Sequence, residues 1–454
     1  MTAPVALVYG VAVAGAATAR ALAARGYTVL LADDAPTPER HAVAAELGTE
    51  LIECPDVAAI EHLLASVDLV APAPGVPETH AVVVAATTAG VSVRTEIDLA
   101  YEWEQQRPGG PRPMIAITGT DGKTTTTMMV AALMNAAGVR TEAVGNTDLP
   151  LIDALDLDVD AFAVECSSFR LAFTEQFRAE AAIWLNLAPD HQNWHRSMQS
   201  YEAAKANVWR HQRATDAAIG WVDDATVMHQ LDAAPGRHIT FGMHSGTYRV
   251  TGEGDGRMLC GPDGPFASVA SLRRRFPHDI TNALAASAAC IESGLLAPEA
   301  VDAGLAAFEV PHHRIEPIGD RNGVAWYNDS KATSPHAALT AIRSFDSIVL
   351  IAGGRNKGLD LASLATEAQR IRAVVAVGEA AAEVEAAFAG ARPVVRADSM
   401  AEAVAAADSL AHAGDVVLLS PACASFDWYP SGGYPARGAD FRAQFELLDA
   451  RVSR

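Results

Sequence analysis

The segment from Met114 to Ala137 constrains the fold more than any other part of the chain. An apolar run from Met114 to Ile117 has the character of a buried strand, and a turn rich in glycine and threonine follows it before a helical pattern begins. A strand, such a turn and a helix in this order form a cradle for phosphate groups, because backbone N–H groups and the helix N-terminus point at the anion. The sequence therefore predicts a phosphate-binding α/β domain.

The turn itself carries the groups that a polyphosphate requires. Gly119 and Gly122 allow a close approach of the backbone to phosphate oxygens, and Lys123 can reach the β- and γ-phosphates. The hydroxyl of Thr124 or Thr125 is placed to bind Mg²⁺. The loop is a shortened variant, since isoleucine stands at position 117, where such loops usually have their first glycine. The alternative is a structural turn with a surface lysine.

Composition sets the size and excludes some partners. The 454 residues suggest about three domains. A net charge of −21 argues against general affinity for nucleic acid or anionic membranes. Five scattered cysteines without metal-ligand spacing suit a reducing cytosol. No apolar run approaches the ~18 residues of a membrane span, and the N-terminus lacks the basic start of a signal peptide. We expect a soluble cytoplasmic protein.

Three α/β regions follow one another along the chain. The first opens with a strand, Val5–Tyr9, and a helix, but Ala12 replaces the middle glycine of the dinucleotide fingerprint, so a dinucleotide is only weakly indicated. A run rich in proline and glycine at 105–113 is the best linker. Short runs separated by glycine at 237–269 suggest small antiparallel strands. The predicted domains are residues 1–107, 108–310 and 311–454.

Polar residues lie at several predicted strand ends, where open α/β sheets bind ligands. Glu165 is a candidate Mg²⁺ ligand or a cap of the next turn. His191, beside Asp190, is either a metal or phosphate ligand or a structural histidine. Lys205 lies in a helical pattern, where a solvent-exposed lysine is the default expectation.

The remaining candidates also have structural alternatives. Asp279 and Asn282 lie near the start of a helix, where they either contact a nucleotide base or cap the helix. The segment 328–333 offers a carboxylate, an ammonium group and a hydroxyl together, and capping alone would not account for Lys331. Cys423 has no base nearby in the sequence, which favours a packed thiol over a nucleophile.

Together these segments resemble the Mur ligases of peptidoglycan synthesis, most closely the members that add D-glutamate. The resemblance rests on motifs that occur in the family's order and span nearly the whole chain. They are GTDGKTTT (119–126), VECSSFRL (164–171), LNLAPDHQNWH (185–195), YEAAK (201–205), HDITNALAA (278–286), HHRIE (312–316), NDSKAT (328–333), GGRNKG (353–358) and SPACASFD (420–427).

The resemblance implies an α/β protein of three domains: an N-terminal Rossmann-like domain that binds UDP, a central P-loop ATPase domain with a mostly parallel sheet, and a C-terminal Rossmann-like domain that binds the amino acid. It also implies the reaction. ATP phosphorylates the carboxylate of UDP-N-acetylmuramoyl-L-alanine, the amine of glutamate attacks the acyl phosphate, and ADP and phosphate are released. We expect a monomer.

The resemblance also assigns residues. Lys123, His191 and Lys205 would be catalytic, with Lys205 carbamylated. Two Mg²⁺ ions would be held by Thr124, Thr125, Glu165, His191 and Lys205. ATP would contact Gly119, Thr120, Asp121, Gly122, Lys123, Thr124, Thr125, Asp279, Asn282, Arg314 and Asp329. The UDP substrate would contact Val13, Ala14, Asp33, Ala73, Pro74, Gly75, Asn146 and His191. Glutamate would contact Thr333, Lys357, Ser425, Phe426 and Tyr434.

Several positions depart from the family pattern, while the phosphate and metal groups are kept. The off-pattern residues are Ala73, Asp121, Arg170, Gln192, Asn193, Asp279 and Ser334, with an insertion at 430–433. Two alternatives to a D-glutamate ligase remain. One is a sister ligase that uses L-glutamate or another amine. The other is a non-catalytic protein that binds a nucleotide or UDP-sugar, against which the retained lysines and Glu165 argue.

Overall fold

Three separate β-sheets organise the chain. The structure is a computed structural model that describes residues 3–147 and 149–452, with side chains described up to residue 448. Two units are distinguished by their internal contacts, Met1–Phe308 and Glu309–Arg454. The first unit contains two of the sheets and the second unit contains the third, so each unit is described by itself.

The first sheet has five strands in the order β3-β2-β1-β4-β5, and every pair in it is parallel. Its strands are β1 (Val5–Tyr9), β2 (Thr28–Asp33), β3 (Leu51–Glu53), β4 (Leu69–Pro72) and β5 (Ser92–Val93). The strands β1 and β4 are almost wholly buried, as expected for parallel strands covered by helices on both faces.

The second sheet has nine strands in the order β14-β13-β12-β11-β10-β9-β6-β8-β7. They are β6 (Met114–Thr118), β7 (Thr141–Gly145), β8 (Ala161–Glu165), β9 (Ala181–Trp184), β10 (Ala217–Trp221), β11 (Arg237–Gly242), β12 (Tyr248–Thr251), β13 (Met258–Gly261) and β14 (Gly264–Ser268). The prediction of small antiparallel strands at 237–269 is wrong in part. β11 pairs parallel with β10 and with β12, because it extends the parallel sheet, and only the last two pairs are antiparallel.

The third sheet lies in the second unit and has six strands in the order β15-β16-β20-β17-β18-β19. They are β15 (Glu316–Arg321), β16 (Val324–Asn328), β17 (Ile348–Gly353), β18 (Ile371–Val377), β19 (Val394–Ala397) and β20 (Val416–Ala422). Only the edge pair β15–β16 is antiparallel. The neighbouring strands β16, β20 and β17 therefore end at the same edge.

Helices follow most of the parallel strands. They are α1 (Val13–Ala24), α2 (Pro38–Glu46), α3 (Val57–Leu64), α4 (Ala81–Ala89), α5 (Glu96–Gln105), α6 (Lys123–Ala136), α7 (Leu151–Ala154), α8 (Ser168–Leu171), α9 (Met198–Ala206), α10 (Ala225–Leu231), α11 (Pro277–Glu292), α12 (Val301–Ala307), α13 (Pro335–Ile342), α14 (Ala381–Ala387), α15 (Met400–Leu410) and α16 (Gly433–Val452). Short 3₁₀ helices span Gly254–Gly256, Val269–Ser271, Pro298–Ala300 and Leu361–Arg370.

The predicted α/β class with mostly parallel sheets is confirmed. The predicted domain boundaries stay a prediction. The helix predicted near Asp279 and Asn282 begins at Pro277, where proline suits the first helical position, so Asp279 lies inside its first turn. Over the described residues no helix is long and apolar enough to cross a membrane.

Candidate functional site

The phosphate loop lies where the sequence predicts it, between β6 and α6. β6 is buried along its whole length and pairs with β8 and β9, so its carboxyl end lies beside theirs. Gly119 and Gly122 adopt φ angles of +153° and +84°, conformations that residues with a Cβ avoid. Gly122 also precedes the first turn of α6, whose N-terminus has no side-chain cap. The N–H groups at the N-terminus of α6 are therefore available to an anion.

The loop is held by Asn186, a residue that the sequence interpretation did not single out. Its side-chain oxygen accepts hydrogen bonds from the N–H groups of Thr120 at 3.0 Å and Asp121 at 2.9 Å. Its amide nitrogen donates to the carbonyl oxygen of Asp121 at 3.2 Å. The hydroxyl of Thr120 lies 3.1 Å from that of Tyr201 on α9. Asn186 follows the end of β9, so its position after a strand was the available signal.

Lys205 is not the exposed lysine that its helical pattern predicts. Its side chain is almost fully buried, with 1% of the residue exposed, and its amine donates to the carbonyl oxygen of Gly119 at 2.6 Å. Lys123 donates to the same oxygen at 2.8 Å and to that of Thr120 at 2.7 Å. Burial, together with the charge of Lys123, lowers the pKa of Lys205 well below its usual value. The prediction of exposure failed because tertiary packing covers this face of α9.

Glu165 ends β8 as predicted and is 2% exposed. One of its oxygens, Oε1, accepts a hydrogen bond from the side-chain amide of Asn146 at 2.9 Å. The other oxygen, Oε2, is buried and has no hydrogen-bond partner among the described residues. A buried carboxylate oxygen without a donor is costly, so this atom is suited to bind a cation.

His191 lies in the middle of the segment between β9 and α9 with a φ of +54°, which is uncommon for a residue other than glycine. Its ring contacts that of Phe169, with centroids 4.6 Å apart, and lies 6.0 Å from the ring of Tyr201. Asp190 lies 3.4 Å from its Nε2. The residue is therefore held beside the helix that carries Lys205.

The remaining predicted nucleotide residues of the first unit lie at the starts of α6 and α11. Thr124 and Thr125 belong to the first turn of α6, and Thr125 is buried. A Cβ placed on Gly122 would lie 2.9 Å from Oδ1 of Asn282, so this side chain lies against the phosphate loop. Asp279 is bound by both Nε and Nη2 of Arg274, at 2.8 and 2.6 Å. Its carboxylate is thus neutralised by the chain itself.

Six of the residues predicted to contact the UDP substrate lie at or after the carboxyl ends of β1, β2 and β4, and Asn146 follows β7. Val13 is exposed and Ala14 is partly buried at the start of α1, where no side chain caps the helix. Asp33 is 4% exposed, and its oxygens accept bonds from the N–H groups of Val11 at 2.6 Å and Ala35 at 2.9 Å and from Arg40 at 2.5 Å. The structure therefore gives Asp33 a role in shaping these loops.

The loop that contains Ala73, Pro74 and Gly75 is tied to the segment after His191. The indole N–H of Trp194 donates to the carbonyl oxygen of Pro74 at 2.9 Å. Trp194 in turn stacks on Phe169, with centroids 4.7 Å apart. Glu78, further along the same loop, accepts from the hydroxyl of Ser200 at 2.9 Å. The structure thus brings the predicted UDP loop and the predicted metal residues into one contact network.

In the second unit, predicted site residues follow the ends of three strands. They are Asp329 and Thr333 after β16, Lys357 after β17, and Ser425 and Phe426 after β20. Asp329 is buried, and its oxygens accept from the N–H of Ile315 at 3.1 Å and the hydroxyl of Ser420 at 2.7 Å. Arg314 precedes Ile315, which has a φ of 47°. The candidates for glutamate differ in exposure. Ser425 is buried, Thr333 and Tyr434 are partly buried, and Lys357 and Phe426 are exposed.

Arg437 holds these strand ends together and was missed by the sequence interpretation. The residue is 2% exposed, and its guanidinium donates to the carbonyl oxygens of Ser330 at 2.7 Å and Cys423 at 3.1 Å and to the hydroxyl of Ser330 at 3.0 Å. Burial lowers the pKa of Arg437 to about 10. Burial also raises the pKa of the Cys423 thiol to about 12, which agrees with a packed thiol.

Two family models match the chain, and together they define its class. The Mur ligase middle domain matches residues 117–290, and the glutamate ligase domain of Mur ligases matches residues 313–423. The chain is therefore an ATP-dependent ligase that forms amide bonds.

Curated relatives support the match over nearly the full length. The UDP-N-acetylmuramoylalanine–D-glutamate ligase of Frankia casuarinae is 41% identical, over 96% of this chain and 93% of its own. The enzyme of the same name from Syntrophus aciditrophicus is 36% identical over 96% of both chains. The chain belongs to the Mur ligase family, in the branch of the UDP-N-acetylmuramoylalanine–D-glutamate ligases.

Solved structures share the fold. The UDP-N-acetylmuramate–alanine ligase from Thermotoga maritima matches with a TM-score of 0.60 and 18% identity, over 98% of this chain and 99% of its own. The MurF structure from Acinetobacter baumannii matches with a TM-score of 0.60 and 17% identity, over 97% of this chain and 91% of its own.

Proposed function

We propose that this chain joins D-glutamate to UDP-N-acetylmuramoyl-L-alanine, with ATP converted to ADP and phosphate. The substrates are those in the names of its curated relatives. The observation that carries the proposal is the pair of lysines at the phosphate loop, where Lys205 is buried against Gly119 beside Lys123. A protein that only bound a nucleotide would need no second, buried amine there.

The buried amine suits carbamylation. Because the pKa of Lys205 is lowered, its amine is available in the neutral form that attacks carbon dioxide. A C–N bond forms, the amine loses a proton, and the product is an anionic carbamate. The carbamate removes the repulsion between two neighbouring ammonium groups and replaces it with attraction to Lys123.

The same residues fit divalent cations. Among the described residues no cluster of three or more histidine, cysteine, aspartate or glutamate side chains forms a metal site. The unpartnered Oε2 of Glu165, a hydroxyl of Thr124 or Thr125, His191 and the carbamate on Lys205 would together supply the ligands. Bound Mg²⁺ would neutralise phosphate charge, which lets two anions approach each other.

The reaction follows from the chemistry of the groups. A carboxylate oxygen of the UDP substrate takes the γ-phosphoryl group from ATP, and ADP leaves. The resulting acyl phosphate is attacked by the amine of D-glutamate, which loses a proton as the C–N bond forms, and phosphate departs from the tetrahedral intermediate. Lys123 would hold the transferred phosphoryl group through charge. In the second unit, Lys357 offers an exposed ammonium group to a carboxylate of glutamate.

The test is phosphate release by the full chain with ATP, Mg²⁺ and UDP-N-acetylmuramoyl-L-alanine. We expect turnover with D-glutamate and none above background without an amino acid. Turnover with L-glutamate but not with D-glutamate would show that L-glutamate is the acceptor and would refute the proposed enantiomer. No turnover with either enantiomer would refute the proposed substrates. Lys123→Met in the same assay should remove activity with D-glutamate. The monomeric state, the cytoplasmic location and the boundaries at 107/108 and 310/311 stay predictions from the sequence.

A further inference from the structure

Glu165 lies at one end of a polar network that also contains Arg170, one of the residues that depart from the family pattern. Nη1 of Arg170 donates to the side-chain oxygen of Asn146 at 2.6 Å, and the side-chain nitrogen of Asn146 donates to Oε1 of Glu165 at 2.9 Å. The network therefore reaches one carboxylate oxygen of Glu165 and leaves the other, Oε2, buried and without a hydrogen-bond partner in the part of the chain that the structure describes.

Arg170 dictates which way the amide of Asn146 points. A guanidinium has only donors, so the group that faces it has to be the amide oxygen, and the NH₂ group is then turned toward Glu165. A glutamine at position 170 would present either a donor or an acceptor, so it would not add to the preference for this orientation that the carboxylate of Glu165 sets from the other side. With the oxygen of Asn146 toward Glu165, two acceptors would face each other.

Arg170 is itself fixed from several sides. Its Nε lies 3.3 Å from Oε2 of Glu96, and both side chains are buried. The other oxygen of Glu96 accepts from the N–H of Ile152 at 2.8 Å. The carbonyl oxygen of Arg170 accepts from the hydroxyl of Thr95 at 2.6 Å. Both ends of this residue are thus tied to the start of α5, so the guanidinium has little freedom to turn away from Asn146.

The charges of the network add up to a site for a cation. Arg170 pairs directly with the buried carboxylate of Glu96 and reaches that of Glu165 only through Asn146, and the oxygen that lacks a donor belongs to Glu165. The carboxylate of Glu165 thus has no cationic side chain of this network in direct contact, and a buried carboxylate oxygen without a donor suits a cation.

We propose that Arg170 is a positioning residue for the metal site. It orients Asn146 so that Oε1 of Glu165 accepts the hydrogen bond from the amide and Oε2 is presented to a divalent cation. This inference rests on the proposed role of Glu165 as a metal ligand. Residues that orient metal ligands contribute to affinity even without touching the ion, and their loss commonly weakens binding about 10- to 100-fold.

The test is the binding of Mn²⁺ to the full chain with the non-hydrolysable ATP analogue AMP-PNP, followed through the EPR signal of free Mn²⁺. We expect Arg170→Gln to raise the dissociation constant of Mn²⁺ about tenfold. Arg170→Lys, which also has only donors, should retain most of the affinity. Arg178→Gln is the matched control, since it breaks another buried ion pair of the same unit, with Asp216, away from Glu165.

The outcomes separate this inference from the function on which it rests. If Glu165→Gln abolishes Mn²⁺ binding while Arg170→Gln binds as tightly as the unmodified chain, Arg170 has no positioning role and the inference is overturned. If Glu165→Gln itself binds normally, the metal role of Glu165 fails, and the inference falls with it. Equal weakening by Arg170→Gln and Arg178→Gln would show a general effect of lost stability and would also overturn the inference.

Discussion

The amines of Lys123 and Lys205 both donate a hydrogen bond to one carbonyl oxygen, that of Gly119, at 2.8 and 2.6 Å. Two ammonium groups bound to the same oxygen atom lie close enough to repel each other, and the amine of Lys205 is also removed from water. Its pKa is lowered for these reasons, burial being the larger. The chain has only four lysines, at positions 123, 205, 331 and 357, and each lies in one of the family motifs.

Carbamylation of Lys205 is the first prediction. Exchange into ¹³C-bicarbonate should give a carbamate signal in the NMR spectrum that is absent from Lys205→Arg. Lys205→Ala should lose activity on the order of 100-fold, and a short carboxylate such as formate should restore part of it by replacing the anion. A carbamate signal that persists in Lys205→Arg would assign it to another lysine.

Gly122 is expected to be essential for ATP binding. A Cβ there would lie 2.9 Å from Oδ1 of Asn282 and 3.1 Å from Cδ1 of Leu185, at a φ of +84°. Gly122→Ala should raise the KM for ATP at least about tenfold, because the loop must shift away from the phosphates. Gly138→Ala is a matched control with the same φ of +84°, and no atom of the described residues lies within 4 Å of the added Cβ. It should lose about 1 kcal/mol of stability and keep the KM for ATP.

Trp194 is expected to affect the UDP substrate selectively. Trp194→Phe keeps the stacking on Phe169 but removes the hydrogen bond to Pro74, which is worth about 1 kcal/mol. The KM for the UDP substrate should rise roughly fivefold, while the KM for ATP stays unchanged. Trp209→Phe removes an equally long bond, 2.9 Å to Ala182, within the core. Its KM values should not change, and equal effects of both variants would contradict a role for the Pro74 loop.

His195 predicts a pH effect on stability. Its ring lies 2.9 Å from the hydroxyl of Ser168, and burial lowers the pKa of His195 below its usual value near 6.5. The unfolded chain therefore binds a proton at this position before the folded chain does. The contribution of His195 to the free energy of unfolding is present above pH ~6.5 and is lost as the pH falls through the lower pKa of the folded state. Urea unfolding at pH 7.5 and 5.5 should show a smaller loss of unfolding free energy for His195→Gln than for the unmodified chain.

Arg437 should be the main polar anchor of the glutamate ligase domain. Arg437→Met leaves the buried carbonyl groups of Ser330 and Cys423 without donors, and we expect a loss of about 3 kcal/mol. Arg355→Met breaks only the exposed pair with Glu379 and should leave the stability nearly unchanged, because water screens exposed ion pairs. Thermal unfolding of the full chain measures both. An unchanged Tm in Arg437→Met would contradict the anchoring role.

Local sequence was enough to predict the parts of the fold that local chemistry controls. The apolar run before Gly119, the two glycines and the threonines that follow predict a strand, a phosphate loop and a helix, because each of these depends on neighbouring residues. Glu165 was likewise placed at a strand end by its apolar run. The strands at 237–269 were harder, since whether a strand pairs parallel depends on a partner far along the chain.

Periodicity and motif could name Lys205, but not its surroundings. An isolated pattern on α9 predicts an exposed lysine, and only the packing of α9 against the loop after β6 buries the amine beside Gly119. The surroundings of Asn186, Arg170 and Arg437 are likewise set by tertiary structure, since each of these side chains forms hydrogen bonds to backbone or side-chain groups of other elements. Which residues line the loop follows from local sequence. Which charges meet there is decided by tertiary structure, because burial and distance set the energy of a charge.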